Sequence, residues 1–307
     1  MKALLIDSSI YIFRSYFTLP ENWHDEQNGY PTQALYGFAT FMLDLLKKHN
    51  PTYIFCAFDE SLGTGFRHQL CANYKINRQL PEPALAFQLD ACRQLCRVLG
   101  IAEMASDQYE ADDLLASMAT KVRLSGHQAV LVSRDKDLKQ IIKANDLYWD
   151  IGKSRPKNQQ QVENELGFRC HQMADYLALA GDAGDSIAGV PGIGPKTATQ
   201  LLSYYQSVDE LLENYTQIGD LPIRGAAKIG DKIALHREQI LLSRQLTTIV
   251  DNLDSVPNCE DITWQGVNTD AFALFCDEMG FGETFNGRCA QLKQRLLSGH
   301  LDPYMDP

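Results

Sequence analysis

Three short apolar runs in the first half of the chain each give way to carboxylates. KALLID stops on Asp7, YIFCAFD stops on Asp59, and AVLV runs into SRDKD, which carries Asp135 and Asp137. Runs of this length and composition predict buried strands, and the amphipathic segments between them predict helices, so the alternation specifies a doubly wound α/β fold with a mostly parallel sheet. Sheets of that kind place ligands beyond the carboxyl ends of their strands. The residues that end the strands therefore also mark the candidate site.

Nine acidic side chains fall in five short clusters: Asp7; Asp59; Glu110, Asp112 and Asp113; Asp135 and Asp137; Asp182 and Asp185. Two carboxylates about 5 Å apart repel by roughly 3 kcal/mol at an effective dielectric near 20, so several in one crevice need compensating positive charge. Hard divalent cations with oxygen ligands supply it most simply. Each cluster also has a plainer reading. Glu110, Asp112 and Asp113 open a helix with apolar positions at Leu114, Leu115, Met118 and Val122, where acids complement the helix dipole; Asp135 and Asp137 can cap a helix over DLKQIIKA.

The chain has 307 residues, 45% of them hydrophobic, enough for one large or two small domains. No apolar stretch reaches the length of a membrane span, and MKALLIDSSI lacks a signal-peptide pattern, so a cytoplasmic protein without a membrane partner is expected. Eight cysteines include no C-x-x-C pair, and Cys92 and Cys96 share a helix face, a spacing that fits burial better than zinc. A net charge of −11 excludes indiscriminate adhesion to polyanions, so any nucleic-acid contact must come from local basic patches with metal ions between them.

Helices are expected over about 32–49, ending at Asn50-Pro51, and over about 84–99, ending at Gly100. Residues 61–83 have no strong period and mix Gly, Pro, aromatic and basic side chains, forming a long connection of the kind that tends to be functional. From about residue 162 the pattern is mainly helical. Within it, GVPGIGPKTATQLL at 189–202 nearly fits a phosphate-binding P-loop, but Pro195 separates Gly194 from Lys196 and no strand precedes it. An ordinary interhelical turn and a hairpin whose Gly192 and Gly194 turn backbone N–H groups toward a phosphate both fit. An Asp-x-Asp phosphatase does not, since Ser9 holds the second position.

The ordered set LLIDSS, FDESLGTGFRHQLCANYKINR, YEADD, VSRDKD and LAGDAGDSIAGVPGIGPKTA closely resembles the 5′-nuclease and flap endonuclease family, which includes the 5′-nuclease domain of bacterial DNA polymerase I and bacteriophage 5′–3′ exonucleases. The likeness extends to DAFALFCDEMGF at 270–281. The resemblance implies a PIN-like nuclease core over 1–160 with a helical arch at 61–83, an all-α DNA-binding domain over 161–250 with a helix–hairpin–helix at 189–202, and a helical extension over 251–307. It implies a phosphodiesterase that cuts DNA where a single-stranded 5′ end meets duplex, using two Mg2+ ions for which Mn2+ can substitute. Asp7, Asp59, Glu110 and Asp112 would surround the first ion and Asp113, Asp135, Asp137, Asp182 and Asp185 the second, several through water, with Asp112 between them.

Lys75 and Arg78 match basic arch positions, with Arg67 and Tyr74 beside them, so the cations would orient the scissile phosphate and the ring would stack on an unpaired base. Arg14 matches another basic position. Gly192, Gly194 and Lys196 would hold duplex backbone without reading sequence, with K+ at the turn. Leu177 stands where some members carry a phosphate-binding lysine, so that contact is absent or replaced. No polymerase domain follows residue 307, so a stand-alone enzyme is expected; a monomer is the default, and a polymerase partner is not readable. Two alternatives are a catalytically silent branched-DNA-binding protein and a ribonuclease on the same acidic core.

Overall fold

The computed structural model describes residues 1–60, 63–78, 80–282, 285 and 287–291. Of the expected extension over 251–307, residues 283, 284, 286 and 292–307, including the tail LSGHLDPYMDP, lie outside the described residues, as do Ser61, Leu62 and Gln79 of the arch. Among the described residues six strands form one sheet: β1 Lys2–Asp7, β2 Tyr53–Asp59, β3 Ala102–Ser106, β4 Gln128–Val132, β5 Leu147–Trp149 and β6 Lys157–Asn158. Their spatial order is β3-β2-β1-β4-β5-β6, parallel except for the antiparallel β6. The expected α/β class holds, and the chain reverses direction across the sheet between β1 and β4.

Side-chain alternation along the strands builds two cores. Leu4, Ile6, Ile54, Cys56, Phe58, Val130 and Val132 point to one face, covered by helices Ser8–Thr18, Gln33–His49, Pro83–Val98 and Thr269–Glu278. Ala3, Leu5, Phe55, Ala57, Ala129 and Leu131 point to the other, covered by helix Ala111–Leu124 and the segment 249–262. Two-sided burial explains why these strands read as continuous apolar runs. Helix Gln33–His49 ends on Asn50 in the left-handed conformation, φ 38°, where an asparagine is tolerated and Pro51 prevents continuation.

A third core, from Phe168 to Ile240, belongs to the helical half, as expected. Beyond it the chain returns to the sheet: Thr263 bridges Tyr53, and the Trp264 backbone N–H donates to the Thr52 carbonyl at 2.9 Å. Two local expectations need correction. The helix over DLKQIIKA is only a 3-10 segment, Asp137–Ile141, because Ile142 turns to extended backbone so that both isoleucines reach the core. The described part of the 61–83 connection holds a short helix, Phe66–Leu70, followed by mostly exposed turns in which Tyr74 is buried against Ile187 and Leu246.

Among the described residues no helix is long and apolar enough to cross a membrane.

Candidate active site

Parallel pairing sets Ile6 beside both Cys56 and Val132, so the chain ends of β1, β2 and β4 open on one edge of the sheet. Asp7 and Asp59 stand at that edge, and Asp135 follows β4 by three residues. Helix Ala111–Leu124 begins at the same edge, because the Ala111 backbone N–H donates to Asp59 Oδ1 at 2.8 Å. Asp112, in its first turn, is thereby carried to the strand ends. A cavity of about 750 Å³ opens here, lined by Asp7, Asp59, Glu110, Asp112, Asp135 and Asp185 together with Lys75 and Arg78. Phe13, Tyr16 and Phe17 form an apolar wall on one side.

The electrostatics divide the acids into two groups. Burial, then the neighbouring Asp59, push the Asp7 carboxyl up to about 7, although Ser133 Oγ donates to it at 2.7 Å. Burial, followed by Asp135, Asp7 and Asp59, raises Asp112 well above the usual carboxylate range. Burial also raises Asp59, against the opposing pull of Lys75. Asp137 is pushed to about 7 by burial and Asp135, and its buried Oδ1 has no hydrogen-bond partner. None of the ion pairs among the described residues involves Asp7, Asp59, Asp112, Asp135 or Asp137.

The second group is neutralised by the chain itself. Lys75 Nζ lies 2.8 Å from Glu110 Oε1 and 3.8 Å from Asp185, and Arg78 lies 2.8 Å from Asp185. Burial pushes Glu110 up, but Lys75 and Arg67 outweigh it and hold the carboxyl below its ordinary value. Lys136 binds Asp182 at 2.6 Å and lowers it against burial. Lys75 adopts φ 51°, an uncommon conformation for a side-chain-bearing residue, while its N–H donates to the Asp185 carbonyl at 3.0 Å. The basic segment is thus pinned to the loop bearing Asp182 and Asp185.

Three of the predicted site residues sit elsewhere than expected. Asp113 is fully buried, and its carboxylate accepts from Arg67 at 2.6 and 2.8 Å, from the Val250 N–H at 2.8 Å and from the Glu110 N–H at 3.1 Å. Four donors leave it turned from the cavity. Arg67 is 3% exposed and also donates to the Leu246 and Thr248 carbonyls, so it faces protein rather than solvent. Tyr74 is 4% exposed, its hydroxyl 3.2 Å from Glu110 Oε2. Arg14 and Lys196 are exposed, as are Gly192 and Gly194. The Phe13, Tyr16 and Phe17 wall escaped the sequence reading, though these residues share one helix face at spacings of three and four.

A single connection, 181–194, carries the remaining features. An antiparallel bridge between Asp182 and Ile187 closes a tight loop around Asp185. A turn follows, in which the Ile193 N–H donates to the Val190 carbonyl at 2.9 Å, and Gly194 caps helix Pro195–Tyr204. Ser243 Oγ fixes this connection from behind, donating to the Ala188 carbonyl at 2.9 Å.

Among the described residues no three acids are close enough to grip one ion at once. The donor set still fits hard cations that keep part of their water shell. It is all oxygen, burial and then the neighbouring carboxylates raise Asp7 and Asp112, and one buried oxygen at Asp137 lacks any hydrogen-bond partner.

The arrangement is an open, mostly parallel sheet with a carboxylate cluster at its switch point and a helical half holding an exposed glycine turn. Residues 2–167 match the 5′-3′ exonuclease N-terminal resolvase-like domain and residues 168–270 the 5′-3′ exonuclease C-terminal SAM fold; the chain belongs to the 5′-3′ exonuclease family. It is 32% identical over 261 residues to the 5′-3′ exonuclease of Buchnera aphidicola subsp. Schizaphis graminum, covering 85% of this chain and 90% of that one. It is also 32% identical over 285 residues to DNA polymerase I of Bacillus caldotenax, where the match covers 91% of this chain but 31% of the polymerase. The fold is shared with bacteriophage T5 5′-exonuclease, solved with bound zinc, at a TM-score of 0.65 and 18% identity over 97% of this chain and 99% of that one. The Rad2 catalytic core, solved with a DNA substrate, aligns at a TM-score of 0.64 and 13% identity over 95% of this chain and 92% of that one.

Proposed function

We propose that this chain is a divalent-metal-dependent 5′ nuclease, hydrolysing DNA phosphodiesters where a single-stranded 5′ end or flap joins duplex. The observation that carries the reading is that one cavity gathers four carboxylates without an ion pair among the described residues, Asp7, Asp59, Asp112 and Asp135, together with Lys75 and Arg78. Asp7, Asp59, Glu110 and Asp112 would hold one Mg2+ or Mn2+ ion, and Asp135, Asp137, Asp182 and Asp185 a second, with Asp112 facing both. Bound there, the ions supply Lewis acidity that activates water and offsets charge on the leaving 3′ oxygen.

The chain's own residues bind and orient. Lys75 and Arg78 exchange their carboxylate partners for the scissile phosphate, which fixes its position and offsets the charge that builds in the transition state. The wall of Phe13, Tyr16 and Phe17 gives unstacked bases an apolar surface. Arg14 on the same helix and the Gly192, Gly194 and Lys196 turn bind backbone on either side of the cut, with K+ as a further occupant of the turn. Asp113, Arg67 and Tyr74 have no place in this contact set, because their polar atoms are already engaged inside the protein. The enzyme acts as a monomer in the cytoplasm, a setting in which its cysteines stay reduced.

A 5′-flap oligonucleotide incubated with Mg2+ tests the reading. Wild type should release the flap, and Asp112→Asn or Asp135→Asn should lose turnover while still binding DNA. Binding by wild type without hydrolysis at any Mg2+ or Mn2+ concentration would overturn it in favour of a silent DNA-binding protein.

A further inference from the structure

Lys136 stands between Asp135 and Asp137 in the chain, and its ammonium lies 2.6 Å from Asp182 Oδ2. Burial pulls that ammonium down, but the hydrogen bond to Asp182 and the charges of Asp137, Asp182 and Asp135 outweigh it and hold the group above its ordinary value. Three of the four carboxylates proposed for the second ion thus act on one lysine. The fourth, Asp185, is held by Lys75 and Arg78, which line the acid cavity and are free to pass to a phosphate. Lys136 is not among the lining residues, so it has no such second partner on offer.

The local fold does not need this ammonium. Asp182 and Ile187 exchange backbone hydrogen bonds at 3.0 and 2.8 Å, and Asp182 Oδ1 accepts the Gly184 N–H at 2.8 Å, so the loop and its carboxylate are fixed without Lys136. On the other side, Ser133 Oγ accepts the Asp135 N–H at 2.9 Å, Asp135 Oδ1 accepts the Asp137 N–H at 2.8 Å, and the Tyr148 hydroxyl donates to the Asp135 carbonyl at 2.9 Å. The Lys136 side chain is 54% exposed and can swing into solvent without opening the core. What it supplies is charge, beside an Asp137 whose buried Oδ1 has no hydrogen-bond partner.

We infer that Lys136 is a tethered stand-in for the second divalent ion: its ammonium balances Asp135, Asp137 and Asp182 while the ion is away, and the ion must displace it to bind. Binding then includes breaking the Lys136 to Asp182 pair and bearing the repulsion of an ammonium that stays near. Lys136 thereby lowers the affinity of the second ion. This rests on the two-ion reading of the site and adds to it a residue that opposes an ion instead of ligating one.

Mn2+ binding without DNA, followed by electron paramagnetic resonance of the free ion, tests this in wild type, Lys136→Gln and Lys136→Arg, with Asp182→Asn marking the second ion as the one it weakens. Lys136→Gln should tighten the second ion about three- to tenfold, the size of a partly screened charge pair, and leave the first at its wild-type affinity. Lys136→Arg keeps the charge and should bind as wild type does. A second-ion affinity in Lys136→Gln equal to wild type or weaker would overturn the inference, weaker binding being the mark of a residue that only holds Asp182 in place. Equal tightening by Lys136→Arg would overturn it too, as would a second ion missing from wild type and Lys136→Gln alike. A wild type that binds both ions yet leaves the flap uncut sinks the nuclease reading alone, because ion binding is measured without DNA.

Discussion

Arg67 and Asp113 form a two-pronged ion pair at 2.6 and 2.8 Å, with Arg67 3% exposed and Asp113 not exposed at all. The pair joins three parts of the chain: the basic segment through Arg67, the helix bearing Asp112 through Asp113, and the end of the helical half through the Leu246 and Thr248 carbonyls and the Val250 N–H. It sets where Glu110 and Asp112 stand, without itself reaching the cavity.

Removing one partner from such a pair leaves a buried charge, which costs about 3–5 kcal/mol. Asp113→Ala should therefore lower the metal-free melting temperature markedly, while Asp112→Asn should leave it level or raise it by relieving repulsion. Calorimetric melts in chelator decide between them. Equal melting temperatures for wild type and Asp113→Ala would remove the structural role assigned to the pair.

Asp7 and Asp137 hold protons up to about pH 7, against an ordinary value of 3.8. The folded state thus binds protons that the unfolded chain releases, so between those values these groups make the metal-free protein less stable as pH rises. Divalent ions compete with the same protons. The rise in melting temperature on adding Mg2+ should be small near about pH 5 and large near about pH 8. A Mg2+ effect that shrinks over this range would contradict the site.

Lys75 bridges Glu110 and Asp185 and faces the cavity. Lys75→Ala should slow flap cleavage by about 10²–10³ in kcat, the size expected for losing one transition-state donor. Single-turnover rates at saturating enzyme measure this directly; a change confined to KM would make Lys75 a binding residue only.

Tyr74 is buried against Glu110, so it cannot receive a base without leaving the core. Tyr74→Phe removes one hydrogen bond, about 0.5–1.5 kcal/mol of stability, and should keep flap affinity. Phe17→Ala, on the 76%-exposed ring of the apolar wall, should weaken it instead. Fluorescence anisotropy on one flap substrate compares the two, and the reverse order would restore Tyr74 as the stacking residue.

The strands were legible because two-sided burial writes itself as continuous apolar runs, and their terminal acids because polar pairs interrupt those runs, Ser8 and Ser9 after Asp7 and Glu60 and Ser61 after Asp59. The helix ends at Asn50 and Gly100 were equally legible, since left-handed backbone narrows the choice of residue. Sequence could not separate Asp112 from Asp113: adjacent residues on a helix point about 100° apart, and which one meets the sheet edge depends on the Asp59 to Ala111 hydrogen bond across the core. Nor could it show that Arg67 faces inward while Arg78 faces the cavity, or that Lys136 pairs with Asp182, since each outcome rests on a partner distant in the chain. Residue order thus determined the sheet, its acidic edge and the family, because these follow from local patterning. Only the tertiary structure decided which charges remain unpaired and open to a ligand, because pairing is a property of folded proximity.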